Sequence, residues 1–429
     1  MIDALSYTSG AAFLDDNDDT FHINGNNNLN NSGCSRGMTP TSPKSGRTLM
    51  KSFTRLYPCV CEYKNLELAY ERARKGKTQR PYIIAFEKNL TENLSLLQTE
   101  LLLHAYRPLP LRDKFIKDPK TRRISISNFR DRIVHHAICN IIEPIYDRRF
   151  IHDSFANRKG KGTLAAAHRL ETFISKVSRN KTVTRKTRAV RGFCFKGDIR
   201  HYFDTVSQKK LLGILGRTIR DRELLFLIKT ILQNHRSDEE EERGMPLGNL
   251  TSQFFANVYL NELDQYAKHV LRMKYYIRYV DDFVILHESE TELEVCKERI
   301  RRFLQEELLL TLHKEKSRIG PLSRGIDFLG NRHYPHHQLL RTRNVRRIYW
   351  KLMMMKADYD KRDVSYDEVF ASLEGWLAYA QHANTRKLRR RITAHFEQLF
   401  PNQIADVEVN RWIKSARCLE TCHAEVLCR

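Results

Sequence analysis

Apolar residues recur at helical spacing from Leu66 to Ala73 and from Leu90 to Tyr106, which predicts a small helical lead-in. From Lys114 to Ile126 the pattern changes to alternation after a turn containing Pro119, and a hairpin rich in cations is expected. Ile133, Ala137, Ile138, Ile141 and Ile142 then fall on one stripe of a helix from Phe129 to Ile145 that ends at Pro144; the stripe is core. Lys176 to Arg191 holds seven basic residues and no acid, either a solvated loop or a phosphate-contacting arm. Further on, an apolar strand beginning at Phe193 delivers Asp198 and runs into Tyr202 and Phe203. A glycine loop at Gly244 to Gly248 feeds a helix reaching Asp264. The run Tyr275 to Leu286 is β-prone on both sides of Asp281-Asp282, so a hairpin with both acids at its tip is expected, the plainer alternative being an exposed turn. The last third, Asn344 to Ile392, is helical and basic.

Composition separates the ends of the chain from its middle. Residues 1–49 are rich in Asn, Ser, Gly, Thr and Pro and carry a net charge of −2, so they are expected to be a disordered, dispensable leader; Met50 opens the first segment that looks globular and is a candidate native start. The whole chain of 429 residues carries 74 Lys and Arg against 51 Asp and Glu, a net +23, which points to a polyanionic partner, nucleic acid before membrane. No apolar run is long enough to span a bilayer and no signal segment opens the chain, so a cytoplasmic enzyme is expected. The nine cysteines read as reduced thiols. Cys418, Cys422, His423 and Cys428 could hold zinc, or be incidental thiols, since their spacing is irregular.

The chemistry lies in three acids. Paired carboxylates in an apolar run must be met by a cation or by solvent. Asp198, Asp281 and Asp282 on neighbouring strands are what two-metal nucleotidyl transfer requires, with two Mg²⁺ (or Mn²⁺) bridging an attacking 3′-oxygen and a nucleoside triphosphate. Alone, Asp198 could be an ordinary strand-end acid. Gly248, lacking a side chain, would let its loop approach a base pair closely.

The order of these segments resembles the reverse transcriptases. Asp198 with Tyr202-Phe203 resembles the first palm motif, Gly244 to Asp264 the second, and Tyr279-Val280-Asp281-Asp282 the third. Leu310 to Ser317 resembles the fourth, Ile326-Asp327-Phe328-Leu329-Gly330 the primer-grip hairpin, and Arg122 to Arg132 with Ser154 to Gly162 the basic fingers. The resemblance covers roughly residues 60–392. It implies an α/β (α+β) right-hand polymerase: N-terminal helices and fingers over 50–192, palm over 193–335, helical thumb over 336–392 and a tail over 393–429.

By that resemblance Asp198 and Asp281 hold the metals with the carbonyl of Ile199, and Asp282 either ligates or supports. Phe203 lies under the incoming sugar and excludes a 2′-hydroxyl, or is a plain core aromatic. Gln253, Leu247 and Gly248 line the nascent pair, and Lys120, Arg122 and Arg123 grip triphosphate or template, or are a solvated face. Lys316 protonates the leaving pyrophosphate, with Lys314 a close competitor. Arg158, Lys159, Lys161, Arg343, Arg346 and Arg347 contact template RNA and the RNA–cDNA hybrid. Leu247-Gly248 and Ser252-Gln253 stand where retron and group II intron enzymes usually carry Gln-Gly and Ser-Pro. That departure is similar to the reverse transcriptases of diversity-generating retroelements, bacterial or phage-encoded, which copy a template RNA with errors at adenine and work with a small basic ring-forming accessory protein. The alternatives are a retron-like or antiviral-defence enzyme, and a catalytically silent nucleic-acid-binding scaffold on the same fold.

Overall fold

A computed structural model describes residues 52–116, 121–179, 190–235 and 242–412. The chain forms two compact units, one taking in Arg191–Pro321 with the described residues before Asn180, the other beginning at Leu322. Lys120 and the Cys418, Cys422, His423, Cys428 cluster lie outside the described residues, as do residues 1–49.

In the larger unit the expected cationic hairpin is β1 (Arg112–Ile116) with β2 (Arg122–Ile126), antiparallel, Phe115 opposite Arg123 and Ile116 opposite Arg122. A four-stranded antiparallel sheet follows, built of β3 (Phe193–Asp198), β4 (Tyr275–Tyr279), β5 (Asp282–His287) and β6 (Arg318–Pro321) in the order β4-β5-β3-β6. Helices Phe129–Asp147, Leu250–Gln265 and Glu290–Glu307 share one apolar core with it, running through Ile133, Ile138, Phe255, Tyr259, Phe283 and Ile300. This is the mixed helix-and-sheet class expected. The sheet closes tightly at one point: Gly197 faces Phe283 across β3 and β5, and a Cβ there would come 2.1 Å from the ring, so only glycine lets this fully buried phenyl lie across the strand. Burial of such a ring stabilises by about 1.5–3 kcal/mol.

The Phe129–Asp147 helix does not end at Pro144 but carries it inside. A proline so near the C-terminus forfeits a single intrahelical bond, while the turn beyond it buries Tyr146 edge-on against Phe254, with the phenol donating to the Leu215 carbonyl at 3.2 Å.

The smaller unit has its own three-stranded antiparallel sheet, β7 (Ile326–Phe328), β8 (Asn331–His333) and β9 (Gln338–Leu340), and three helices, Thr342–Asp360, Tyr366–Ala380 and Arg386–Leu399. Ile348, Leu352, Val369, Leu373, Ile392, Phe396 and Phe400 form its core. The β7–β8 turn belongs with these helices rather than with the catalytic sheet: Asn344 Nδ2 and Tyr379 Oη donate to the Gly330 carbonyl at 3.2 and 3.4 Å. The division at 321/322 therefore precedes the 335/336 boundary expected from sequence. The last of the helices runs past Ile392 because Phe396 and Phe400 are needed to fill that core.

His135 faces inward from the Phe129–Asp147 helix, and burial, then His136 and Arg132, push its imidazole down to about 3; burial, Lys77, Arg72 and Arg132 push His136 to about 4. Both folded values lie below the unfolded value of about 6.5, so the unfolded chain takes up protons first. Stability is thus intact above that value and is lost as pH falls from there toward the folded pKa. Each imidazole should remove roughly 1 kcal/mol by about pH 5.5. Urea denaturation at about pH 7.5 and 5.5 checks this: His135→Leu should narrow the difference between the two midpoints, and an unchanged difference would contradict it.

Candidate active site

The expected hairpin forms with a tight turn. β4 ends at Tyr279 and β5 begins at Asp282, so Val280 and Asp281 are the whole turn, with Tyr279 paired to Asp282 across it. Val280 has a φ of 53°, left-handed territory that a β-branched residue enters at a cost of about 1–3 kcal/mol. Asp282 is also the direct cross-strand partner of Asp198, the last residue of β3. Two strand ends and one turn thus bring Asp198, Asp281 and Asp282 to one edge of the sheet.

Their mutual repulsion adds to the effect of burial at Asp281. Burial first, then Asp282 and Asp198, push Asp281 up to about 7, against a downward pull from Arg122. Cations meet the other two acids. Lys316 Nζ lies 3.0 and 3.2 Å from the two carboxylate oxygens of Asp198, and Lys196 Nζ lies 3.7 Å from Asp282 Oδ1. Of the two candidate lysines, it is Lys316 that reaches the acids, from a turn fixed by His313 N–H donating to the Asp198 carbonyl at 2.8 Å. Ile199, buried, bridges to Leu312 on the same segment. Among the described residues no group of three or more His, Cys, Asp or Glu side chains forms a ready cage for one ion. The donors are nonetheless hard carboxylate oxygens, two of them on directly paired residues. That set fits Mg²⁺ or Mn²⁺, which are held by one or two carboxylates and take remaining ligands from water and phosphate.

The glycine loop abuts the fingers hairpin. Ser125 N–H donates to the Leu247 carbonyl at 3.0 Å, and Ser127 Oγ donates to Asn249 Oδ1 at 2.7 Å. Gly248 has φ 111°, and a Cβ on it would lie 2.6 Å from Ile124 Cγ2. Its missing side chain therefore serves the approach of β2, where the sequence suggested room for a base pair. Phe203 is half-buried, edge-on to Tyr202, and its carbonyl accepts from Met245 N–H at 2.7 Å, so the aromatic sits where the loop begins. Gln253 lies in the first turn of the following helix, half-buried.

The basic residues divide. Arg122 shares a face of β2 with Ile124, which packs toward Gly248, and its charge is felt at Asp281. Arg123 points to the other face and pairs with Asp113 at 2.8 Å, so the two arginines do not act as one grip. Arg158 is held by its own loop: its side chain is 8% exposed, bonded to Asp147 at 2.7 Å and to the carbonyls of Ile151 and Ser154 at 2.8 and 2.9 Å. It clamps its own loop and has little left to offer a phosphate. Lys161 donates to the His152 carbonyl and lies over the Phe155 ring, half-buried, whereas Lys159 is exposed. Arg343, Arg346 and Arg347 lie in the first turns of the Thr342–Asp360 helix of the smaller unit, the first two exposed.

Sequence reasoning missed the residue beneath the turn. Arg278, fully buried in β4, meets Asp264 through Nε at 2.7 Å and Nη2 at 2.6 Å. Nη2 also donates to Ser154 Oγ at 3.0 Å, and Nη1 donates to Asn257 Oδ1 at 3.2 Å and to the Val280 carbonyl at 2.9 Å. The only signal was a charge inside an otherwise apolar strand, fourteen residues after an acid in the preceding helix, which is too common a pattern to single out a pair.

Residues 116–333, half of the chain, match the reverse transcriptase (RNA-dependent DNA polymerase) family. The chain belongs to that family. It is 29% identical over 299 residues to protein YkfC of Escherichia coli, covering 60% of this chain and 74% of YkfC. It is 23% identical over 362 residues to the group II intron-encoded protein LtrA of Lactococcus lactis, covering 67% of this chain but only 58% of LtrA. A solved Candida albicans telomerase in complex with a telomeric RNA fragment aligns with 61% of this chain and 55% of its own, at 11% identity and a TM-score of 0.41.

If Gly248 is there to admit β2, Gly248→Ala should loosen that contact. Amide exchange at Ser125, whose acceptor is the Leu247 carbonyl, should speed up about tenfold or more by hydrogen–deuterium exchange; unchanged protection over residues 122–127 would contradict it.

Proposed function

We propose that this chain makes cDNA from a template RNA by two-metal nucleotidyl transfer, and that it is the error-prone, adenine-mutagenic enzyme of a diversity-generating retroelement. The observation carrying the first part is the meeting of Asp198, Asp281 and Asp282 at one sheet edge, with the charge of Arg122 acting on Asp281. Two Mg²⁺ (or Mn²⁺) ions at these carboxylates and the Ile199 carbonyl would activate a primer 3′-hydroxyl and neutralise triphosphate charge. Around them, Lys316 pairs with Asp198 in the free protein and, in this reading, donates a proton to departing pyrophosphate. Phe203 sets a steric floor against a 2′-hydroxyl. Arg122 and Lys120 address the dNTP, and Gln253, Leu247 and Gly248 wall the nascent pair. Lys159, Lys161, Arg343, Arg346 and Arg347 supply sequence-independent attraction for template and hybrid. No helix among the described residues is long and apolar enough to cross a membrane.

The retroelement subtype rests on Leu247-Gly248 and Ser252-Gln253, and would bring with it a small basic ring-forming accessory protein and a cytoplasmic site of action. A second reading, an intron-type enzyme, is favoured by the likeness to LtrA.

Asp281→Asn removes charge with little change of shape. Primer extension on an RNA template should fall by at least about 10³-fold, with RNA binding nearly unchanged; a variant as active as the wild type would defeat the polymerase reading. The subtype is tested by sequencing products made with the accessory protein present. Errors should concentrate opposite template adenine, and Leu247→Gln or Arg122→Ala should lower them there more than at other bases, at a modest cost in rate. Low, base-independent error in the unmodified enzyme would leave the intron-type reading in place.

A further inference from the structure

We infer that Arg278 is a positioning residue for the catalytic turn: it holds the Val280 carbonyl so that the strained two-residue loop presents Asp281 beside Asp198, and it ties that loop to the helix behind the nucleotide site. This rests on the reading of the three acids as the ion site. A guanidinium has five N–H donors, and here all five are used, on Asp264, Asn257, Ser154 and Val280. Asp264 and Asn257 belong to the Leu250–Gln265 helix and Ser154 to the fingers-side loop, so only the bond to Val280 reaches the turn. The strand around Arg278 is fixed independently, its N–H donating to the Asp153 carbonyl at 2.9 Å and its carbonyl accepting from Phe155 N–H at 3.1 Å. Tyr276 Oη, donating to Asp264 Oδ1 at 2.7 Å, fixes the far side of the carboxylate. The guanidinium is thereby a rigid post, and the flexible partner is the turn.

A left-handed valine persists only where its surroundings over-determine it. At Val280 the surrounding core reaches the backbone of the turn through the Arg278 bond to its carbonyl. Lysine at 278 would keep a positive charge for Asp264, yet a single ammonium cannot span both that carboxylate and the Val280 carbonyl in the same fork. Glycine at 280, conversely, adopts the left-handed conformation without strain and needs the post less.

The experiment uses the full chain and Mn²⁺ alone as probe, its free concentration read by electron paramagnetic resonance, beside single-nucleotide primer extension. Arg278→Lys should weaken Mn²⁺ binding about tenfold or more and lower kcat, with the KM for dNTP and template–primer affinity moving less. Adding Val280→Gly should recover most of both losses, a rescue that a purely stabilising ion pair would not show. Should Arg278→Lys fail to fold, Arg278→Met with Asp264→Leu removes both buried charges and the donor together, and the same loss and the same rescue by Val280→Gly are expected. Unaltered Mn²⁺ binding and kcat in either folded variant, or a loss that Val280→Gly leaves untouched, overturns the inference while the ion-site reading stands. A wild-type chain that binds no Mn²⁺ overturns both.

Discussion

A charged pair with no solvent exposure at all, Arg278 with Asp264, is the constraint on which the catalytic unit depends. Burial alone would push the guanidinium toward neutrality, but Asp264 outweighs that and raises its pKa further. Such a pair contributes little net stability, while losing one member leaves an uncompensated buried charge at a cost of about 3–5 kcal/mol. The specificity it brings is positional. β4, the Leu250–Gln265 helix and the Ser154 loop meet in an arrangement that satisfies every donor of the guanidinium, and the Val280 turn is bonded to it. The turn that carries Asp281 is therefore tied to the buried core rather than held by surface contacts alone.

The surrounding electrostatics follow from a different imbalance. A strongly basic chain gathers three acids at one sheet edge, which burial and mutual repulsion make costly, as the rise of Asp281 shows. Lys316, Lys196 and Arg122 each offset part of that cost from a separate segment: the turn before β6, β3 itself and the fingers hairpin. On the proposed reading of these acids, an entering ion would exchange partners within an existing charge pattern instead of creating one, which keeps reorganisation small.

Legibility from sequence tracked how local each determinant is. The acid pair in an apolar run, Asp198 at a strand end, and the stripe of Ile133, Ala137 and Ile138 are set by periodicity and turn chemistry within a few residues, and the structure has them as expected. The resemblance of Ser154 to Gly162 to the basic fingers assigns Arg158 to nucleic acid, whereas its partners in the structure are Asp147 and carbonyls of its own loop, which sequence spacing does not reveal. Arg122 and Arg123 looked equivalent; strand alternation sends them to opposite faces. The end of the last helix and the 321/322 division depended on Phe396, Phe400 and Tyr379 finding partners far along the chain, which spacing does not encode.

Gly248 shows how function and packing share one position. With φ at 111° and Ile124 pressed against the place its side chain would take, it lets the loop and β2 meet, and the Ser125 bond to the Leu247 carbonyl fixes their register. Leu247 thus commits its carbonyl to the hairpin, and its side chain stays half-buried in the loop. Arg122, on the same face of β2 as Ile124, acts by its charge on Asp281. One strand therefore fixes the course of the glycine loop and brings a cation near the acids, so the two cannot be arranged independently.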